Sequence, residues 1–345
     1  MNLFSAKANR NYGILTILSV FFLILLGGFV RSTGSGMGCP DWPKCFGNYV
    51  PPSNQSELPV NYRDIYLAKR IQKVERFSAL LEKLGMHEKA KTIKNDPELY
   101  MPESFNPLKA KIEWINRLFG ALTGLFALAY MITSFKFFSK QKSRFWLVVS
   151  GVVMIIFNGW LGSIVVATNL LPGLVSLHYL AAYLAIILLM LAVYKTDDFS
   201  KYLSVASTKL SLLFLTVLTM LQLYFGTTLR AKTDGLIRKA DLYHGTKTNI
   251  EGLQPVFNYH WFLAIAIIIA NIALAVYIYS KHPAKSVFRL FALIPIVLAF
   301  QYITGVLNIN LHFPSFSQVS HIFFGSVVFG IQMYLCIALF KTQMR

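Results

Sequence analysis

Charge is scarce in this chain. Of 345 residues only 14% are Asp, Glu, Lys or Arg, against 55% hydrophobic, which is too little charge to coat a soluble protein of this length. Acid is scarcer than base: 15 Asp and Glu face 33 Lys and Arg, for a formal net charge of +18. That excess could suggest a nucleic-acid binder, but the basic residues do not fall together. They crowd short connectors, as in Lys136–Arg144 and Lys281–Arg289, so no nucleic-acid partner is expected. Cysteine is limited to three residues, and none stands near the buried histidines discussed below. No A-x-A cleavage site follows the first apolar run, which is longer than a typical signal-peptide core; it is read as a mature helix.

What is abundant is apolar sequence in runs of about 20 residues. Eight such runs lie at 12–30, 112–138, 145–167, 174–194, 207–229, 257–280, 287–307 and 318–340. They predict an all-α integral membrane protein with eight transmembrane helices, embedded in lipid as a multi-pass protein. Basic connectors and termini mark the cytoplasmic side, which puts both termini in the cytoplasm. The connector 229–255 carries five Lys or Arg on the opposite side and disagrees. The 31–112 loop is also basic, but loops that long translocate largely regardless of charge.

Two features recur. Helix 1 exits as Arg31-Ser-Thr-Gly-Ser-Gly-Met37 and helix 5 as Arg230-Ala-Lys-Thr-Asp-Gly-Leu236, with Arg, Gly and the next apolar residue in register. Gly162 precedes His178 by sixteen residues, and Gly305 precedes His321 by sixteen. The matched spacings predict two tandem four-helix bundles related by pseudo-two-fold symmetry about an axis along the membrane normal. The halves are 1–195 and 196–345, with an outer-loop insert at about 54–105. Within the insert, Ile71, Val74, Phe77, Leu81 and Leu84 have helical spacing and predict a surface helix over Tyr62–Leu84, stopped at Gly85, with a short partner at Met86–Lys94. Structural cover of the outer face is preferred over partner docking.

Of seven histidines, His87, His244, His282 and His312 fall in polar segments and are read as solvated, whereas His178, His260 and His321 stand inside apolar helices. An ionisable residue in a membrane helix faces the bundle interior and marks a site. By helical rise each lies one or two turns below the outer surface. His260 and His321 share one half, and two facing imidazoles among aromatic neighbours suit a haem iron with both axial positions filled. Zinc would need further strong ligands.

Overlaying the halves pairs His321 with His178, His260 with Asn116, Phe257 with Glu113, and Trp261 with Arg117. The second half thus has two histidines and no carboxylate, and the first has a His, an Asn and a Glu. Glu113 and Asn116 share a helix face. A closed haem suits electron transfer, and a weakly ligated one beside a carboxylate suits chemistry. The competing reading is a helix-end ion pair between Glu113 and Arg117.

The stretch GGFVRSTGSGMGCPDWPKC at Gly27–Cys45, EWINR at Glu113–Arg117, and the in-helix His178, His260 and His321 resemble the haem A synthase family over nearly the whole chain outside Asn54–Phe105. The resemblance implies an eight-helix duplicated oxidoreductase that converts a methyl of haem O to the formyl of haem A for cytochrome oxidase assembly, with water as oxygen source. It implies a haem b cofactor between His260 and His321, and haem O near His178 and Glu113. Glu113 is then the catalytic candidate, with Asn116, Arg117 and Arg31 completing the substrate site. Arg31 and Arg230 are candidates to meet haem propionates. One departure stands out: the family pattern E-x-x-H-R has Asn116 where histidine is expected. Cys39 and Cys45, matching a cysteine pair in part of the family, are expected to form an outer-loop disulfide, with a structural role preferred over a redox one. Cys336 is read as packing. Haem O synthase and an electron acceptor are the expected partners. The alternatives are a non-enzymatic di-haem electron carrier and a haem exporter. The first would place two histidines on one helix about 13–14 residues apart, and no helix here does.

Overall fold

The computed structural model describes residues 5–36, 38–100, 104–168, 173–194, 206–242, 254–281 and 285–341. Among them ten α-helices are found and no sheet forms. Eight are long and apolar enough to cross a membrane, so the chain is a multi-pass membrane protein. They are α1 (Ala6–Ser32), α4 (Pro107–Phe135), α5 (Lys142–Ala167), α6 (Leu174–Val193), α7 (Ala206–Leu242), α8 (Gln254–Lys281), α9 (Lys285–Asn310) and α10 (Ser315–Lys341). The remaining two, α2 (Tyr62–Lys83) and α3 (His87–Lys94), lie in the connector after α1.

Local chemistry sets the helix ends. The Asn106 side chain accepts from the Lys109 N–H at 3.0 Å, capping α4, and Pro107 starts the helix where its missing N–H costs nothing. α1 stops at Ser32 because Gly34 takes a left-handed conformation (φ +63°). The matching stretch on α7 does not stop. The apolar run there ends at 229, but the helix continues to Leu242, so Arg230 stands inside a helix and not at its exit. Leu229, Arg230, Ala231 and Lys232 are good helix formers, and Arg230 pairs with Asp234 one turn on at 2.7 Å.

The helices pack as two rings of four. α1, α4, α5 and α6 close one ring, and α7, α8, α9 and α10 the other. The seam between them is made by α1 and α6 against α10 and α7. Hydrogen bonds cross it, from Tyr183 to Ser326 and from Ser176 to Thr227, each 2.8 Å. In lipid such bonds and close packing hold helices together, since lipid tails are as apolar as the side chains. The insert folds as expected: Val74 and Leu81 of α2 are buried against Ala90 and Ile93 of α3 and Leu99 beyond it. Gly85, at φ +75°, makes the turn between the two helices. α2 packs on α5, over the end of the first ring.

Candidate functional site

His178, His260 and His321 each rest against a glycine on the preceding helix. A Cβ added at Gly162 of α5 would meet His178 Cε1 at 3.2 Å. At Gly226 of α7 it would meet His260 Cε1 at 3.1 Å, and at Gly305 of α9 His321 Cε1 at 3.0 Å. Each glycine leaves the room an imidazole fills. One turn before each stands an amide side chain: Asn158, Gln222 and Gln301. The backbone carbonyl of Gln301 accepts from His321 Nδ1 at 2.8 Å, which leaves Nε2 with its lone pair available to ligate. Gln222 donates to the His260 carbonyl at 2.8 Å. His178 Nδ1 and His260 Nδ1 have no close hydrogen-bond acceptor among the described residues, although the Asn158 and Gln222 backbones stand near the two rings.

The His260 and His321 rings have centroids 6.2 Å apart and planes tilted by 60°. A metal–imidazole bond is about 2.0–2.1 Å and a ring centroid stands roughly 1.1 Å inside its nitrogens, so two imidazoles on opposite sides of one metal have centroids about 6.3 Å apart. The observed 6.2 Å matches that separation. Among the described residues no group of three or more His, Cys, Asp or Glu converges. A planar macrocycle supplying the other ligands fits the donor set. The rings face a cavity of about 280 Å³ that Arg31, Arg230, Phe257 and Trp261 also line.

A second cavity of about 290 Å³ lies in the first ring of helices, with His178, Asn116, Glu113 and Arg31 on its walls. It contains one of the three in-helix imidazoles. Arg31 and Tyr179 line both cavities, so the two lie side by side across the seam. From the insert, Arg70 and Lys73 of α2 reach this cavity. Burial, and then the Arg117 guanidinium, push the Lys73 ammonium below the usual lysine range.

Glu113 and Arg117 form the ion pair that their spacing allows. The pair does more than close a helix turn. Glu113 Oε2 accepts from the Cys39 N–H at 2.7 Å. Arg117 donates to the carbonyls of Cys39 (2.8 Å), Lys44 (3.0 Å) and Asp41. Cys39 and Cys45 are joined as a disulfide, and Asp41 accepts from the Phe46 and Gly47 N–H groups at 2.7 and 2.9 Å. Arg117 is thus a clamp that holds this tight loop on α4, with most of its donors already engaged. Glu113 is held as a buried, oriented carboxylate on the cavity wall.

The two arginines expected at separate haem edges share one partner. Arg31 Nη2 pairs with Asp234 Oδ2 at 2.8 Å, and Arg230 Nη2 with Asp234 Oδ1 at 2.7 Å. One carboxylate between two guanidinium groups leaves net positive charge, and Nη1 of each arginine is buried without a partner. That is the donor set an anionic ring substituent would complete.

Sequence reasoning missed Asp234, Arg70, Lys73 and Gly226. The sixteen-residue spacing had pointed to Gly162 and Gly305 without saying what they do. Asp234 stood in view inside the recurring Arg-Ala-Lys-Thr-Asp stretch. Of the other histidines, His87 lies on α3 and His312 in the turn after α9, while His244 and His282 fall outside the described residues. Cys336 is buried and free, 3.4 Å from Thr216 Oγ1.

A family model described as cytochrome oxidase assembly protein matches residues 10–333. A heme A synthase of Geobacillus kaustophilus is 25% identical over 347 residues, covering 95% of this chain and 90% of the relative. A heme A synthase of Bacillus licheniformis is 23% identical over 357 residues, covering 98% and 99%. One from Wolbachia pipientis wMel is 24% identical over 358 residues, covering 96% and 93%.

Proposed function

From the premise that this chain belongs to the cytochrome oxidase assembly protein family, we propose that it is a haem A synthase, oxidising the methyl group of haem O to a formyl. The observation that carries the reading is the contrast between neighbouring cavities. One has two imidazoles spaced for a single iron, and the other has one imidazole beside a fixed carboxylate. Two imidazoles would hold a redox cofactor in place, and a single one would let a substrate ring leave.

In this reading His260 and His321 hold haem b, which supplies one-electron redox chemistry when bound. Gly226 and Gly305 let the imidazoles sit close to their neighbouring helices, and the Gln301 carbonyl orients His321. Haem O occupies the N-terminal cavity with His178 as its protein ligand. Arg31 and Arg230, with Nη1 of each unpartnered, meet the ring carboxylates, and Arg70 and Lys73 meet those of haem O from above. Glu113 faces the methyl edge of the substrate. Its charge stabilises the electron-poor carbon that forms as electrons leave, and the carboxylate can take a proton. The clamp through Arg117 and Cys39 keeps that carboxylate from rotating away, and low local dielectric strengthens its effect. Water supplies the oxygen. A membrane or protein acceptor would take the electrons released, and haem O synthase is the expected source of substrate. Both termini lie in the cytoplasm and the two sites near the outer face, under the insert.

Haem extraction and mass analysis of the purified protein test this. Haem b together with haem O, a hydroxylated intermediate or haem A is the expected result. Haem b alone, in both cavities, would instead favour a di-haem electron carrier.

A further inference from the structure

Three in-helix imidazoles each fill the room left by a glycine, and a fourth glycine at the equivalent place faces no imidazole. Gly27 stands four residues before Arg31 on α1, as Gly226 stands four before Arg230 on α7. Gly226 faces His260, whose counterpart in the first ring of helices is Asn116. A Cβ added at Gly27 would meet nothing within 4 Å, against 3.0–3.2 Å at the other three glycines. Gly27 and Asn116 line the same cavity as His178. The glycine that makes room for a ring is kept, and the residue at the position matching His260 carries a side chain shorter than imidazole.

We infer that the space between Gly27 and Asn116 is a binding position for a neutral exogenous donor, between water and imidazole in size, on the open side of the iron that His178 holds. This rests on the reading of the N-terminal cavity as the haem O site. Asn116 supplies only a neutral amide, able to donate to or accept from such a ligand, and an amide competes poorly with imidazole for iron. Glu113, one turn away, is engaged by Arg117 and the Cys39 N–H, so it does not supply a ligand in place of histidine. The consequence is an iron with one protein ligand and an exchangeable second position. That loosens the hold on a ring that must enter as substrate and leave as product, while the doubly ligated site keeps its own.

The test uses the full-length protein in detergent, with the His260–His321 site filled and haem added until uptake stops. Imidazole is then titrated while optical spectra are recorded. The expected result is that about one haem per chain passes from high to low spin as imidazole is added. In Asn116→His that haem should be low spin from the start and blind to imidazole. In Gly27→Leu the imidazole response should fall at least tenfold in affinity while the haem stays bound through His178. A second haem that is low spin without imidazole in the parent protein would overturn the inference, as would an imidazole response unchanged in both variants. If no second haem is taken up although the His260–His321 site is filled, the haem reading of the N-terminal cavity fails, and this inference with it.

Discussion

Arg31 on α1 reaches across the seam between the two rings of helices and closes on Asp234 of α7, with Nη2 at 2.8 Å and Nε at 3.0 Å from the same carboxylate oxygen. Arg230 takes the other oxygen. A single carboxylate therefore ties the two halves together at the wall the cavities share. Asp234→Asn removes the charge and leaves two buried guanidinium groups facing each other. Removing one partner of a buried pair is strongly destabilising, and with Asp234 partly exposed the cost should be about 2–3 kcal/mol. Thermal unfolding in detergent should show a larger drop for haem-depleted protein than for loaded protein, because ring carboxylates would replace the lost anion. Equal drops would argue against carboxylate binding at these arginines.

His260→Ala and His321→Ala should each abolish the low-spin haem b spectrum while the protein still reaches the membrane. Gly226→Val and Gly305→Val should do the same without touching a ligand, since added carbon would stand 3.0–3.1 Å from the ring and displace it. A normal low-spin spectrum in the histidine variants would refute the assignment.

Glu113 serves two purposes, and one substitution separates them. Glu113→Gln keeps an oxygen to accept the Cys39 N–H but removes the charge. It should retain haem b and lower haem A formation on the order of 100-fold. Glu113→Asp should be partly active, its carboxylate drawn back by one methylene. Unchanged haem A output from Glu113→Gln, measured by extraction and chromatography, would leave the loop clamp as the residue's whole role.

Cys39 and Cys45 should resist alkylation in isolated membranes until reduced. Cys45→Ser should lower haem A formation through a loosened loop and a misplaced Glu113, with the haem b spectrum intact. Loss of haem b in that variant would contradict so local a role.

Lys73 sits depressed below the usual lysine range because burial, and then Arg117, disfavour its charge. A lysine depressed in the fold binds fewer protons than in the unfolded chain, so it costs stability below its lowered value, and that cost fades as pH rises. A bound carboxylate would favour the charged form. Affinity for a porphyrin with free carboxylates should therefore fall as pH rises through the lowered value, and a porphyrin dimethyl ester should show no such fall. Lys73→Gln should remove the difference between the two, and a binding titration reads it directly.

The eight spans, the insert helix and the three in-helix histidines that line the cavities were all legible in the sequence, and the reason is the solvent. Lipid demands long uninterrupted apolar helices, and it makes any histidine within one conspicuous. The closeness of Cys39 to Cys45 in sequence likewise left little geometric choice. Tertiary structure alone decided the rest. The Glu113–Arg117 pair looks from sequence like a simple helix-end contact, and it also clamps a loop and orients the Glu113 carboxylate, because the loop carbonyls it holds arrive from more than sixty residues away in sequence. Arg31 and Arg230 recur in register, but that they share Asp234 depends on how α1 meets α7. Glycines carry no side chain for a pattern to register, so what Gly162, Gly226 and Gly305 do emerged only when the facing helices were in place. Periodicity along one helix reports which face is apolar, and it cannot report what stands opposite.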